Sequence, residues 1–595
     1  MHHKTGNRLI TTLALTSLWA FAALLQTGSS KSPIPLVPIC AIQGSHSSSL
    51  LSGQHVRTRG VVIADLDETS KGGFFIQEEN CDDDAATSDG LFVYIGNSSD
   101  VVSEGDYVEV SGWVKEYNGL TEISADVADV SILPQEKPLP SPSELNPPFE
   151  ESAAVSYLES LEGMYVHMEQ AVVVGPTNRW GETWVVHANL GIERVLQGEA
   201  QGTGEIICVD DGGTAAIAPA ARVGDTLDGL LGVLDVSSNA FRLQLLSPPL
   251  LMPNPAVFPP YIAGDGITIA TFNVGNLFDT INDPTKSDQV LSQEAYQRKL
   301  QKLAKAIDEG LGQPTILALQ EVENSSVLED LLVQPEITAD YSIVWMDGPD
   351  ERGIDIAFLS RSDWGEVVEV AQLQGCTSLI DGLGPDGNGD VLNPSNALTC
   401  DSDGDGNLDG NRLFSRPPLN ILLRIQSETQ EALNLRLIVN HWKSKTEDTP
   451  EVEYTQTRRV EQAEFVAALV RDILTTQPDA YLLVLGDLND YPDSQAAEIL
   501  ADSGLYNLIA RLPQEEQYTY IHQGVSQVLD HILVSASLNN HFILVHAIHM
   551  NADYPDIYAE QADNLHRSSD HDPLVMQLSL AKAFSYLPLV ALDRR

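Results

Sequence analysis

Two hydrophobic periods run along this chain, and they change over near residue 264. Before it, short runs rich in β-branched and aromatic residues, such as "HVRTRGVVIAD", "GFFIQE", "GLFVYIG" and "DYVEVSGWVKEY", are separated by Gly, Asp and Ser turns and predict strands only. A second set of such runs, from "MYVHMEQAVVVG" to "AFRLQLL", follows the Pro-rich stretch "PQEKPLPSPSELNPPFE". The phrases "GDYVEVSGWV" and "GDTLDGLLGVL" resemble one another, so the β module reads as duplicated. Beyond a further Pro-rich stretch the pattern mixes. "SQEAYQRKLQKLAKAIDEG" and "QTRRVEQAEFVAALVRDIL" place apolar residues at helical spacing, between apolar runs of strand length. The prediction is a multi-domain chain. It has all-β modules over 35–135 and 151–250 joined by a linker over 136–150, then a two-sheet α/β sandwich over 264–580 and a tail over 581–595.

The strand-length runs of the C-terminal half end on polar tips. "ITIATFNVGN" ends on Asn273 and Asn276, "TILALQEVEN" on Glu321, and "LRLIVNHWKSK" on His441. "AYLLVL" precedes Asp487 and Asn489 in "GDLNDYP", Asp530 and His531 open "DHILV", and Asp570, His571 and Asp572 precede "LVMQLSL". Any one of these tips is an ordinary turn former or helix cap. Six in one domain form a constellation, because strand ends let a rigid sheet present side chains to one cleft. Carboxylates that hold a divalent cation, beside histidines that meet developing negative charge, are what hydrolysis of a phosphoester needs.

In this order the motifs resemble the endonuclease/exonuclease/phosphatase superfamily, whose familiar member is pancreatic-type deoxyribonuclease I. The β modules ahead of them resemble the OB-like barrels of secreted bacterial ExeM/NucH-type extracellular nucleases. The resemblance implies a four-layer sandwich and assigns roles. Glu321, with Asn273 and Asp570, would hold the catalytic cation, Mg2+ or Mn2+. Asp487 would position or deprotonate the attacking water, and Asn489 would donate to a phosphate oxygen. His441 and His571 would flank the scissile phosphate, with Asp530 orienting His571. Arg416 in "LFSRPPL" and Arg352 would contact substrate, and Asp355 would contact it too or orient His441. Gly275 stands where some relatives carry an acid.

A second cation site is legible from spacing alone. In "DSDGDGNLDG", Asp401, Asp403, Asp405 and Asp409 occupy the first, third, fifth and ninth positions of a calcium loop. Asn407 is among its candidate ligands and Gly406 stands at its sharp turn; Arg412 replaces the expected terminal Glu. Ca2+ is therefore expected in the 401–410 loop, where it would also fix the direction of Arg416. The loop lies in an insertion at about 376–412. Of the five cysteines, Cys376 and Cys400 bracket the insertion, Cys40 and Cys81 share the first module, and Cys208 is left single.

Residues 1–30 combine basic residues, an apolar stretch and small residues, as a secretory signal peptide does. No later stretch is apolar enough to span a bilayer. A secreted, extracellular protein follows, free or held at the cell surface, with nucleic acid as substrate and no stable protein partner. The formal charge of −52 opposes that substrate. Salt screens the field beyond about 8 Å, and bound cations with a local rim of Arg352, Arg416, Lys443, Lys445, Arg458, Arg459 and Arg567 would invert its sign in the cleft. Two alternatives stay open: a phosphomonoesterase or lipid head-group phosphodiesterase with the same residues, and an inactive surface-binding protein.

Overall fold

In the C-terminal half, rows of apolar residues with period two bury one face of each strand against a second sheet. The computed structural model describes residues 34–579 apart from 80, 83, 97–99, 213–217, 256–265, 378–398, 428–429, 447 and 449–454. The expected signal segment, the C-terminal tail and most of the Cys376–Cys400 insertion lie outside the described residues. One six-stranded sheet runs in the order Tyr341–Trp345, Asp355–Arg361, Ile316–Val322, Ile267–Leu277, Leu574–Leu578 and Phe542–Ala547. The other runs Gly365–Gln372, Leu419–Ser427, Gln430–His441, Tyr481–Asp487, Asp530–Ser535 and Leu505–Asn507.

The two sheets share a core of inward rows, including Ile267 and Ile269 from one and Leu437, Val439, Leu483, Leu485 and Ile532 from the other. The opposite face of the first sheet, with Ala270, Phe272 and Leu317, packs on the helix Gln293–Lys305 through Tyr296, Leu300 and Leu303. That of the second, with Ile438, Leu482 and Val484, packs on the helix Gln456–Thr476 through Ala463, Val466 and Val470. The layers are helix, sheet, sheet, helix, as the mixed periods require.

Two closed five-stranded barrels precede this sandwich. In the first, His55–Leu66 pairs with both Gly73–Gln77 and Tyr107–Tyr117, while Gly90–Tyr94 pairs in parallel with Leu120–Ser124. In the second, Tyr165–Gly175 pairs with both Thr183–His187 and Thr226–Ser237, and Ile207–Asp210 pairs in parallel with Ala240–Leu245. The strand order is the same in both. The two similar sequence phrases fall on the equivalent fourth strand of each barrel.

The Pro-rich stretch between the barrels is not a free linker. Ser143–Glu144 pairs in parallel with Tyr165–Gly175, and Leu145 is fully buried in the second barrel's core. The barrels share an apolar cluster that includes Phe75, Phe92, Val233 and Val236. The second barrel in turn joins the sandwich, where Val195–Leu196 adds to the hairpin strands Val525–Gln527 and Tyr520–His522. Disulfides link Cys40 with Cys81 and Cys376 with Cys400, and Cys208 is free. No described helix is long and apolar enough to cross a membrane.

Candidate active site

The inward rows of the sandwich continue past its core and turn polar at one end. Leu435, Leu437 and Val439 lead by steps of two to His441, and Leu483 and Leu485 lead to Asp487. Residues paired directly across neighbouring strands face the same way. His441 pairs with Asp487 and Asp487 with Asp530, so three sequence-predicted residues stand side by side across one sheet. Gly486 makes this approach possible: its φ is 130° and a Cβ there would lie 2.0 Å from the Asn440 carbonyl oxygen.

From the facing sheet come Asn273 and Glu321. The pairing of Ile316–Val322 with Asp355–Arg361 is irregular between Gln320 and Val322, and Glu321 sits in that irregularity with φ 65°. Asn276 and Asn489 (φ 51° each) and Arg567 (φ 57°) also adopt left-handed backbone around the cleft. Such residues cost of order 1–3 kcal/mol each and gather where function holds them.

The side chains converge. Asn273 Nδ2 donates to Glu321 Oε1 (3.2 Å) and Asp487 Oδ2 (3.0 Å). His571 Nδ1 bonds Asp530 Oδ2 at 2.7 Å, leaving its Nε2 4.0 Å from Asp487 Oδ2. His441 Nε2 lies 3.6 Å from the same oxygen and 3.8 Å from Glu321 Oε1. Asp570 stands next to Gly275, where a Cβ would come within 3.2 Å of its Oδ1.

Burial and charge sort these groups. Burial pulls His571 down, but the Asp530 carboxylate, with Asp487 and Asp570 beyond it, outweighs burial and holds the imidazole well above its usual range. His441 goes the other way despite the two carboxylates near it. Burial lowers it well below that range, and Arg416, Arg352 and His571 add to the effect, so it is neutral. Burial pushes Asp487 up to about 7 against the opposing charge of His571. Burial would also raise Asp570, yet His571, Arg567 and Lys299 bring it below the carboxylate range.

Several expectations need correction. Asp355 makes no hydrogen bond to His441: its Oδ2 accepts from Gly348 N–H (3.0 Å), while its Oδ1 and His441 Nδ1 are both buried without a hydrogen-bond partner among the described residues. Arg416 is buried, pairing with Asp350 Oδ2 at 3.0 Å and donating to the Trp442 carbonyl, so its guanidinium is engaged inside the protein. Arg352 keeps the exposed head, 51% accessible. Asn489 donates one amide N–H to the Trp442 carbonyl (3.2 Å), and its backbone N–H donates to Asp487 Oδ1 (2.8 Å). Asn273 turns its Oδ1 to Gly275 N–H (3.0 Å), bridging acids through its amide nitrogen. Among the expected rim cations, Arg458 and Arg459 are buried like Arg416.

Other residues went unpredicted. Lys299 Nζ donates to the carbonyls of Val274 (2.6 Å), Gly275 (2.8 Å) and Ser568 (2.7 Å), tying the Asn273 segment to the Asp570 segment. Its signal was present, a lysine three residues after Tyr296 on the apolar face of its helix. Asn551 accepts from Ser568 N–H (2.9 Å) and donates to the His571 carbonyl (2.7 Å). The Tyr520 ring lies 4.9 Å from that of His571. Neither Asn551 nor Tyr520 sits in a motif.

In the calcium-type loop, Asp401, Asp403 and Asp405 present ligand oxygens within 4.8 Å of one another. Asp409 instead accepts from Ser402 N–H (2.8 Å), and Asn407 Nδ2 donates to Asp405 Oδ2 (2.8 Å). In the cleft, Asp487, Asp530 and His571 meet the same distance criterion, but there Asp530 Oδ2 is already bonded to His571.

Residues 268–379 and 419–560 match the profile of the Endonuclease/Exonuclease/phosphatase family. Over these two segments the sandwich is similar to endonuclease/exonuclease/phosphatase family domains. Residues 128–253, including the second barrel, match a Domain of unknown function (DUF8508). A comparison with curated proteins gives no match. Among solved structures, the human Nocturnin catalytic domain is 17% identical over 53% of this chain and 94% of its own, with a TM-score of 0.33. A mannosyl-6-phosphatase from Bacteroides thetaiotaomicron is 17% identical over 53% of this chain and 99% of its own (TM-score 0.31). Humanized D. rerio TDP2 is 14% identical over 53% and 100% (TM-score 0.33).

Proposed function

We propose that this chain is a secreted, divalent-metal-dependent nuclease that hydrolyses phosphodiester bonds of DNA and RNA endonucleolytically with little sequence preference. The observation that carries the reading is the Asp530–His571 pair, with its free Nε2 turned toward Asp487 in a cleft that also holds Glu321 and His441. The converging Glu321, Asp487, Asp530 and Asp570 exceed in charge the nearby cations His571 and Lys299, a donor set that fits a hard divalent ion. Glu321 and Asp570 would hold Mg2+ or Mn2+, which when bound supplies neutralisation of the phosphate's charge. Asn273 fits as an organiser of Glu321 and Asp487.

The rest of the work falls to side chains. Charged His571 donates from Nε2 to a phosphoryl oxygen, and Asp530 keeps it charged and aimed. Asp487, close to neutrality in its proton affinity, accepts the proton of the attacking water. Neutral His441 faces the same space from the other side, and Arg352 meets the substrate at the rim.

We read both five-stranded barrels, each with its third strand parallel to its fifth, as OB-like modules. The two disulfides support an oxidising compartment and hence secretion. Ca2+ is assigned to Asp401, Asp403 and Asp405. The formal charge of −52 favours a second reading, a hydrolase of small phosphoesters, because it repels long polyanions. Incubation with supercoiled plasmid, bis(p-nitrophenyl) phosphate and p-nitrophenyl phosphate, with and without Mg2+, separates them. Nicking of closed circles is expected, and turnover of the monoester alone overturns the nuclease reading.

A further inference from the structure

The second barrel reaches the catalytic pair through a continuous set of buried and part-buried contacts. Arg194, one residue before the strand Val195–Leu196, extends out of the barrel into the sandwich. Its Nη2 bonds both oxygens of Asp553 (2.9 and 3.1 Å), and its Nη1 bonds Ser526 Oγ at 2.9 Å. Its guanidinium lies 3.8 Å from the Tyr518 ring centroid, and the His549 ring stacks on Tyr518 at 3.8 Å with an interplanar angle of 6°. Two groups that close to one ring occupy opposite faces, so Tyr518 is clamped between them. Its hydroxyl donates to Asp553 Oδ2 at 2.9 Å.

What Tyr518 clamps is the segment between the two halves of the pair. Thr519, fully buried, accepts through Oγ1 from Leu529 N–H (3.1 Å) and Asp530 N–H (3.2 Å), and its carbonyl accepts from Asp572 N–H (2.7 Å). The Asp572 carboxylate bonds His549 Nδ1 (3.1 Å) and the N–H groups of Asn551 (2.7 Å) and Ala552 (3.1 Å). Asn551 holds the His571 carbonyl. The barrel also touches Asp553 and Asp556 directly: Val223 N–H donates to the Asp553 carbonyl (3.0 Å), and Arg179 N–H to Asp556 Oδ2 (3.0 Å). Asp556 in turn holds Arg567 Nε at 2.8 Å, three residues before Asp570.

We propose that Arg194 of the second barrel is a positioning residue for the Asp530–His571 pair, which makes that barrel a working part of the hydrolase. This rests on the reading that the pair does the chemistry. Removing Arg194 frees Tyr518 and Asp553 to shift, and with them the Thr519 bridge that fixes where Asp530 and His571 meet. A displacement of about 1 Å costs up to about a hundredfold in rate.

The test measures kcat and KM on bis(p-nitrophenyl) phosphate for the full mature chain and for Arg194→Met, Arg194→Lys, His571→Ala and the double variant Arg194→Met with His571→Ala. Arg194→Met is expected to lower kcat about tenfold with KM within about twofold, and Arg194→Lys to restore part of the loss. In the His571→Ala background the same change should cost less than about twofold, because the pair it positions is already gone. A full kcat in Arg194→Met, or an equal loss in both backgrounds, overturns the inference. Should Arg194→Met lose its near-UV circular dichroism, Tyr518→Phe carries the same comparison, since it removes the bond to Asp553 and keeps the ring stack. A wild type that cleaves only p-nitrophenyl phosphate refutes the nuclease reading while the same variants test the positioning role on that substrate. A wild type that hydrolyses no phosphoester refutes both.

Discussion

The cleft and the loop at residues 401–409 are both built from aspartates, and burial separates what they can do. Asp487 and Asp530 are 1% and 0% exposed, and each meets a histidine or an amide from another element. The loop carboxylates face solvent and accept from their own backbone: Asp401 takes Gly404 N–H and Gly406 N–H at 2.7 Å each. These N–H groups hold Asp401 below the usual carboxylate range, while burial pushes Asp487 up to about 7. An acid stabilised as an anion by its own loop is suited to holding a cation. A buried acid near neutrality is suited to moving a proton.

The sharpest way to break that comparison is to alter each region in turn. His571→Ala is expected to lower kcat by about a hundredfold or more, as loss of a general acid or electrostatic donor does, with the fold intact by circular dichroism. Asp403→Asn with Asp405→Asn should leave kcat within about twofold at saturating Mg2+. Near-wild-type turnover in His571→Ala would remove the cleft from consideration. A large loss in the loop variant would erase the distinction between the regions.

Burial without chemistry is the next control. Glu162, 2% exposed between the two barrels, accepts from Thr121 N–H (2.9 Å) and forms no ion pair among the described residues. Burial, reinforced by Glu159 and Glu116, pushes its carboxyl from 4.5 to about 8. The folded chain thus keeps a proton that the unfolded chain releases. Its contribution is most favourable below pH 4.5, declines as pH rises toward about 8 and is flat beyond. Glu162→Gln should therefore nearly match wild type in stability near pH 5 and gain on it steadily toward pH 8.5, by about 4 kcal/mol, with the melting temperature following the same course. A pH-independent difference between the two proteins would show that Glu162 is ionised in the fold.

How much of this was legible beforehand follows from the same contrast. Polar tips on apolar strands are local signals, and Asn273, Glu321, His441, Asp487, Asp530, Asp570 and His571 do meet at one end of the two sheets. Roles that depend on a distant partner were not legible. Arg416 reads as a free phosphate ligand until Asp350, sixty-six positions away, is seen to occupy it. Asp355 reads as a partner of His441, yet its remaining oxygen and His441 Nδ1 make no hydrogen bond to each other. Lys299 and Arg194 carry no motif because what they bind is backbone carbonyl or another domain's side chain. The Pro-rich stretch read as a linker because its apolar residues, Leu139, Leu145 and Phe149, stand apart from one another among prolines and polar residues with no strand or helix period, and only the fold shows Leu145 buried.

Calcium offers a smaller effect. If Asp401, Asp403 and Asp405 bind Ca2+, the folded state gains about 2.7 kcal/mol when calcium stands a hundredfold above Kd. Chelation at constant Mg2+ should lower the melting temperature of wild type and leave Asp403→Asn with Asp405→Asn unmoved. Since Asp350 and the Trp442 carbonyl hold Arg416 independently of the loop, the plasmid-nicking rate below the transition should change by less than about twofold. Identical melting of both proteins with and without calcium makes the loop an acidic turn only.

The smallest change keeps shape and removes one charge. Glu321 Oε1 accepts from Asn273 Nδ2, and its Oε2 accepts from Asn276 N–H at 2.7 Å. Both bonds come from neutral donors, so the carboxylate's charge remains available to a cation. Glu321→Gln preserves an oxygen acceptor at nearly the same place, and the expected result is about a tenfold rise in the Mg2+ concentration giving half-maximal rate. The rate at saturating Mg2+ should fall far less than in His571→Ala, because the water-activating and phosphate-facing groups are untouched. The loop variant should titrate with Mg2+ as wild type does, which keeps the two acid regions distinct in metal as well as in proton chemistry. An unchanged titration in Glu321→Gln would assign Glu321 to holding the strained Asn276 turn, with Asp570 left as the principal ligand.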